Sequence, residues 1–366
     1  MPEYQYVDLS VDHDLASLIA NVDRIGVDTE FMREKTYYAE LCLLQVSTPT
    51  DIVCADPLGS RPGRERQMTE FWQAISAPEW VVHSARQDIE VIYQTSGCMP
   101  HSIFDTQVAA ALLGYQPQMG YGGLVNELFQ VELDKSHTRA NWSKRPLTDA
   151  LLTYAAEDVQ YLLPAYEELV ARLRKRGRFE WAQQDSRDLL DKSLYEAEPS
   201  LAIHRLKGAR NLYGRARAAA TGLAAWRERE AIRSDKPRQW IMRDQVLVDI
   251  AARGPETKAA LAEIEGLPEK TIRRAGDSLL RIVADVTHDE SGYQPPARPD
   301  ERQKALLREM QRRVASCAEK IELAAELVAP KKELSAAILG PRDSRVFGGW
   351  RQQLIGNELL ELLENS

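Results

Sequence analysis

The side chains in this chain whose types and spacing could do chemistry are carboxylates and one tyrosine, held in three short segments. The first is Val27-Asp28-Thr29-Glu30-Phe31. Preceded by Ile25 and Gly26, it reads as the end of an interior strand. Alternate side chains of a strand project to opposite faces, so Asp28 and Glu30 share one patch while Val27, Thr29 and Phe31 face the other way. A lone pair of this kind also fits the solvated face of an edge strand. In the second segment, residues 82–90 (VHSARQDIE), an apolar strand runs into a helix and Asp88 falls in the first helical turn, where acids commonly serve as caps or dipole partners. His83 reads as a structural residue at the strand end, and Asp105, in Phe104-Asp105-Thr106-Gln107, as a helix N-cap. The third segment, residues 154–159 (YAAEDV), lies inside a strong helix. Tyr154 and Asp158 are four apart, which stacks a hydroxyl and a carboxylate on one helical face. Leu151, Leu162 and the neighbouring alanines supply the packing side. Pro164 cannot donate to the carbonyl of Gln160 and should kink or loosen the helix just beyond.

Taken in order, VDTEF, HSARQD and YAAED resemble the three exonuclease motifs of the DEDD superfamily, and Tyr154, four residues before Asp158, resembles its tyrosine subgroup. The histidine subgroup carries its base five residues before the aspartate, where this chain has Thr153. The segments FDTQVAAALLGY (104–115) and DKSHTRANWSKRPL (134–147) resemble the bacterial ribonuclease D family, and the helical tail resembles that family's two C-terminal HRDC (helicase and RNase D C-terminal) domains. The resemblance implies an α/β exonuclease domain with a ribonuclease H-like mixed sheet flanked by helices, followed by two all-α helical-bundle domains. It also implies that Asp28, Glu30, Asp88 and Asp158 converge as metal ligands. The activity implied is 3′-to-5′ removal of nucleoside 5′-monophosphates from an accessible RNA end, with tRNA precursors as the expected partners.

Physical chemistry agrees with that implication. Four carboxylates brought close together repel one another and gain protons unless cations compensate them. Hard oxygen ligands with no His or Cys nearby favour Mg²⁺ or Mn²⁺ over Zn²⁺. Two such ions, about 3.5–4 Å apart, activate a water on one side and stabilise a departing 3′ oxyanion on the other. A tyrosine with an ordinary pKa near 10 stays protonated at neutral pH, so Tyr154 is expected to orient the attacking water. Apolar contacts from Phe31, Met32 and Tyr37 are expected to hold the terminal base.

The elements that must position these residues form an alternating pattern. Short runs rich in Val, Ile and Leu at 24–31, 41–47, 51–55 and 80–83 read as strands, and 87–95, 106–113 and 149–174 as helices. From about residue 201 the strand signal stops and apolar residues recur at helical spacing. The polar Gly/Pro stretch 287–300 (THDESGYQPPARPD) reads as a linker, with helix resuming after it. The expected division is therefore an exonuclease domain at 1–200, a first HRDC domain at 201–286, a linker at 287–300 and a second, degenerate HRDC-like domain at 301–366.

Charge is distributed unevenly over these parts. The whole chain has 366 residues and a net charge of −8. Residues 1–200 carry 18 basic and 31 acidic residues, residues 201–286 carry 17 and 11, and residues 287–366 carry 12 and 13. The basic middle segment suits contact with a phosphate backbone, and Arg227, Arg229 and Arg238, interleaved with Trp226 and Trp240, are its expected RNA contacts. Tryptophans at helical spacing equally suit a core. The four cysteines are far apart, with no CxxC pair, which fits a thiol-reducing cytoplasm. No apolar run approaches the 18 or so residues that span a bilayer, so neither a membrane anchor nor a signal peptide is expected. The chain has no GxxxxGK[ST] loop, so a helicase or polymerase would have to be a separate partner, and no nucleotide cofactor is expected. Two alternatives share the fold: a DNA 3′-5′ exonuclease, including a helicase-associated proofreader, and a non-catalytic RNA-binding protein. The complete carboxylate set and Tyr154 speak against the latter.

Overall fold

The computed structural model describes residues 2–9, 19, 22–58, 65–134, 136–137, 140–286, 292–293, 299–340 and 342–365. Most of the stretch read as a linker, 287–300, lies outside the described residues. The chain divides into two compact units. One comprises Met1–Met32, Glu40–Tyr195 and Pro299–Ser366, and the other Arg33–Ala39 and Glu196–Arg298.

The first unit is built on a six-stranded mixed sheet in the order β1-β4-β3-β2-β5-β6. Its strands are β1 (Gln5–Asp8), β2 (Arg24–Met32), β3 (Glu40–Ser47), β4 (Ile52–Asp56), β5 (Glu79–Val82) and β6 (Ser102–Asp105). The central strand β2 pairs antiparallel with β3 and parallel with β5, and its register with β3 shifts between Glu30 and Phe31. Strand β3 is buried from Leu41 to Ser47 because helices cover its inner positions, which explains its near-continuous apolar run. The helices of the first unit that matter for the site are α1 (Glu65–Ser76), α2 (Arg86–Ser96), α3 (Thr106–Leu112), α4 (Tyr121–Phe129), α5 (Asp149–Gln160), α6 (Leu162–Lys175) and α7 (Phe179–Arg187).

Gly26 explains how α6 seats on β2. A Cβ at that position would stand 2.3 Å from Ser47 Oγ and 3.0 Å from the Cβ of Leu162, so only glycine permits the approach. The C-terminal helical segment shares the core of this unit. Met310, Val314 and Trp350 pack in one cluster with Phe104, Leu162 and Leu169. Trp350 stacks on Trp181 at 4.4 Å, and Arg351 donates two hydrogen bonds of 2.7 Å to Asp185, with both side chains buried.

The second unit is all-helical. Its long helix α8 (Gly214–Ser234) is followed by α9 (Arg238–Ile241), α10 (Asp244–Arg253), α11 (Lys258–Ala262) and α12 (Glu269–Ala284), around a core that includes Leu223, Leu247, Ile250, Leu261 and Leu279. Trp226 belongs to that core, whereas Trp240 is 61% exposed. No helix among the described residues is long and apolar enough to cross a membrane.

Candidate active site

Strand β2 delivers Asp28 and Glu30 to one face at its C-terminal end. The register shift after Glu30 is a bulge-like irregularity, a feature that re-aims side chains beside active sites. A cavity of about 180 Å³ opens there, lined by Val27, Asp28, Glu30, His83, Tyr121, Tyr154, Asp158 and Leu162. Three of the four candidate carboxylates and the candidate tyrosine therefore meet at one place. Asp88, in the first turn of α2, is 9% exposed and its Oδ1 accepts a 2.5 Å hydrogen bond from Thr29 Oγ1. That bond fixes Asp88 beside β2, where its charge acts on Asp28 and Glu30, and among the described residues no group of three or more His, Cys, Asp or Glu side chains is arranged to hold a metal ion.

Helix α5 carries the other pair. Thr148 caps it by accepting from Leu151 N, and the four-residue spacing puts the Tyr154 hydroxyl in a hydrogen bond to the Asp158 carboxylate. His137 and Trp142 flank the Tyr154 ring, with centroids 5.9 and 6.0 Å away. Their segment is tied to the sheet by Arg145, which donates from Nε and Nη2 to the buried Asp56 at 2.5 and 2.7 Å. The break between α5 and α6 falls at Tyr161. Pro164 contributes to it as expected, but a second cause was hidden in the sequence. The Tyr121 hydroxyl donates to Glu157 O at 3.2 Å and accepts from Tyr161 N at 3.0 Å, occupying the place of a helical hydrogen bond beside Asp158.

The electrostatics of the cluster are dominated by burial. Loss of water, together with repulsion from Asp88, Asp158 and Glu30, holds the Asp28 carboxyl well above the usual range. Burial and the charges of Asp158 and Asp88 push Glu30 up to about 9. Asp88 and Asp158 are both raised to about 7, again chiefly by burial, with Thr29 and Tyr154 respectively opposing the rise through their hydrogen bonds. Gln45, opposite Asp28 on β3, is fully buried with its amide unpartnered among the described residues. His83 has both ring nitrogens engaged, Nδ1 2.9 Å from Thr106 Oγ1 and Nε2 2.8 Å from Met119 O. Burial lowers its pKa, and it lines the cavity as a wall.

Three expected RNA contacts are placed elsewhere. Tyr37 is 8% exposed in the core of the helical unit, where its hydroxyl donates to Glu228 Oε1 and accepts from Arg238 Nη2, so its ring is not free to hold a base. Arg227 is 2% exposed and donates to Asp244 Oδ1 and Met242 O. Arg238 is committed to Glu228 through Nε and Nη2. Arg229 is exposed, and Phe31 and Met32 are half-buried. The sequence signal that read Arg227 and Arg238 as a basic face was the local charge excess and its interleaving with Trp226 and Trp240, and acidic partners 17 and 10 residues away pair with them.

Comparison with known proteins places these observations in a family. Residues 8–174 match the model of the 3′-5′ exonuclease family, and residues 217–283 that of the HRDC domain. The ribonuclease D of Gluconacetobacter diazotrophicus is 34% identical over 372 residues, 97% of this chain and 92% of that protein. That of Acidiphilium cryptum is 37% identical over 349 residues, 92% of this chain and 87% of that protein. The crystal structure of Escherichia coli RNase D, described as an exoribonuclease involved in structured RNA processing, superposes with a TM-score of 0.87 at 29% identity, covering 100% of this chain and 99% of that one. With its mixed sheet, its acidic cavity and this likeness over nearly its whole length, the chain belongs to the ribonuclease D family and is a 3′-to-5′ exoribonuclease.

Proposed function

We propose that the enzyme trims structured-RNA precursors, tRNA among them, in the cytoplasm, releasing nucleoside 5′-monophosphates from free 3′ ends. Asp28, Glu30, Asp88 and Asp158 are the metal ligands, for two ions of Mg²⁺ or Mn²⁺, and Tyr154 is the water-orienting group. Divalent-metal dependence comes with the exonuclease family. The observation that carries the ligand assignment is the meeting of Asp28, Glu30 and Asp158 in one cavity, with the buried Asp88 close enough for its charge to act on Asp28 and Glu30, an arrangement of repelling carboxylates whose cost divalent cations offset. When bound, such ions supply positive charge to the attacking water and to the departing 3′ oxygen.

The chain's own groups do the rest. The Tyr154 hydroxyl, already bonded to Asp158, holds a water against the last phosphorus while the hydroxyl stays protonated. A new P–O bond forms to that water as the bond to the preceding 3′ oxygen breaks, leaving a 3′-hydroxyl on the shortened RNA. Phe31 and Met32 offer apolar contact to the terminal base. Arg229 remains a phosphate contact on the first HRDC domain, assigned to 201–286, while 301–366 is assigned to the second. Single-nucleotide resolution of 5′-labelled RNA and DNA oligomers, incubated with Mg²⁺, Mn²⁺ or EDTA, tests the proposal. A metal-dependent ladder that shortens RNA from its 3′ end is expected. Hydrolysis in EDTA, or preferential hydrolysis of DNA, would overturn it.

A further inference from the structure

We propose that Asp105 is a positioning residue that sets the entry of α2 and thereby aims Asp88 at the site. The inference rests on the assignment of Asp88 to the ligand set. Asp105 ends β6 and is 3% exposed. As a cap of its own helix it needs only Gln107 N, which donates to Oδ1 at 2.8 Å. Its carboxylate also accepts from Ser84 N at 3.0 Å and from Ala85 N at 3.1 Å, in the turn that joins β5 to α2.

That turn needs such an acceptor for two reasons. Ser84 sits at φ +62°, in the left-handed region that a non-glycine residue adopts at a cost. Ala85, at the N-cap of α2, has no side chain able to satisfy the helix's free N–H groups. One carboxylate therefore caps α3 and clamps the start of α2. The clamp is itself fixed, since Asp105 N donates to Ser186 Oγ at 3.0 Å and Asp105 pairs in register with Val82 on β5. From Ala85 the helix rises directly to Asp88, and Ile89 N closes the first turn on Ala85 O at 3.0 Å. An error in the turn would be carried to the carboxylate three residues later.

The test compares Asp105→Asn, Ser84→Gly, their double variant and Asp88→Asn in the full chain, by kcat and KM on a short RNA oligomer, Mn²⁺ calorimetry and thermal melting. Loss of a group that orients a metal ligand costs about 10- to 100-fold in metal affinity or activity, so Asp105→Asn is expected to lower kcat and Mn²⁺ affinity by that order with KM little changed. Ser84→Gly relieves the left-handed turn, so it should leave activity near the parent's and restore part of what Asp105→Asn loses. A folded Asp105→Asn protein with parental kcat and Mn²⁺ affinity, or a loss confined to melting temperature, would overturn the inference. So would failure of Ser84→Gly to restore any activity. Parental activity in Asp88→Asn would instead remove the ligand assignment on which the inference rests.

Discussion

At the scale of single residues, the burial of the four carboxylates ties stability to pH. Asp88 and Asp158 move from an ordinary 3.8 to about 7, and Glu30 from 4.5 to about 9. Between those limits the folded protein holds protons that the unfolded chain has released. Unfolding free energy therefore falls as pH rises through this window. In EDTA, the melting temperature of the parent should decline from pH 5 to pH 9. Asp28→Asn removes one repelling charge, so its decline should be shallower and its melting temperature at pH 8 no lower than the parent's. A melting series in EDTA checks both, and a steeper decline in the variant would contradict the repulsion argument. Tyr154 should behave differently, because its hydroxyl bonds Asp158 without carrying charge. Tyr154→Phe is expected to lower kcat by about 10- to 1000-fold, the order expected for loss of one group that positions the water, while Mn²⁺ affinity changes little. Single-turnover kinetics beside a metal titration separates the two effects.

At the scale of elements, strand β2 and helix α5 were legible because periodicity and spacing are local. Asp28 and Glu30 on one strand face, and Tyr154 and Asp158 on one helix face, needed only alternation and the helical repeat. What escaped the sequence depends on partners far along the chain. The hydrogen bond from Thr29 to Asp88 spans 59 residues, and the Tyr121 hydroxyl reaches the α5–α6 break across 36 residues on one side and 40 on the other. Asp105 read as an N-cap, which it is, but its clamp on Ser84 and Ala85 reaches back 21 and 20 residues. Gly26 is the element-level test of the packing argument. Gly26→Ala places a methyl into Ser47 Oγ and Leu162. Overpacking of this kind costs about 1–3 kcal/mol, and chemical denaturation should show that loss. An unchanged midpoint would mean that β2 and α6 can part without penalty.

At the scale of the whole molecule, the uneven charge was visible in the sequence but its pairing was not. The +6 excess of residues 201–286 suggested a continuous basic face. Two of its three expected contacts proved to be internal ion pairs, while Arg229 stays exposed. Arg227→Ala should therefore destabilise the helical unit by about 3–5 kcal/mol, because it strands Asp244 beside a buried gap. Arg229→Ala should change stability by less than about 0.5 kcal/mol, yet reduce the slope of log K against log salt for RNA by about one. Binding isotherms across a salt series, beside denaturation curves, would reverse this assignment if the two variants exchanged behaviours. The C-terminal segment was likewise legible as helix but not as part of the sheet's core, since stacking of Trp350 on Trp181 joins residues 169 positions apart.

The most direct measurement is calorimetric titration of Mn²⁺ into the enzyme at pH 7 in two buffers of different ionisation enthalpy. Carboxyl groups raised to about 7 and above hold protons at that pH, and a cation seated among them must displace those protons. The expected result is binding accompanied by net proton release, with both the affinity and the released protons reduced in Asp28→Asn and Asp158→Ala. Mn²⁺ binding without proton release, or binding indifferent to both substitutions, would contradict the assignment of these four carboxylates as the metal site.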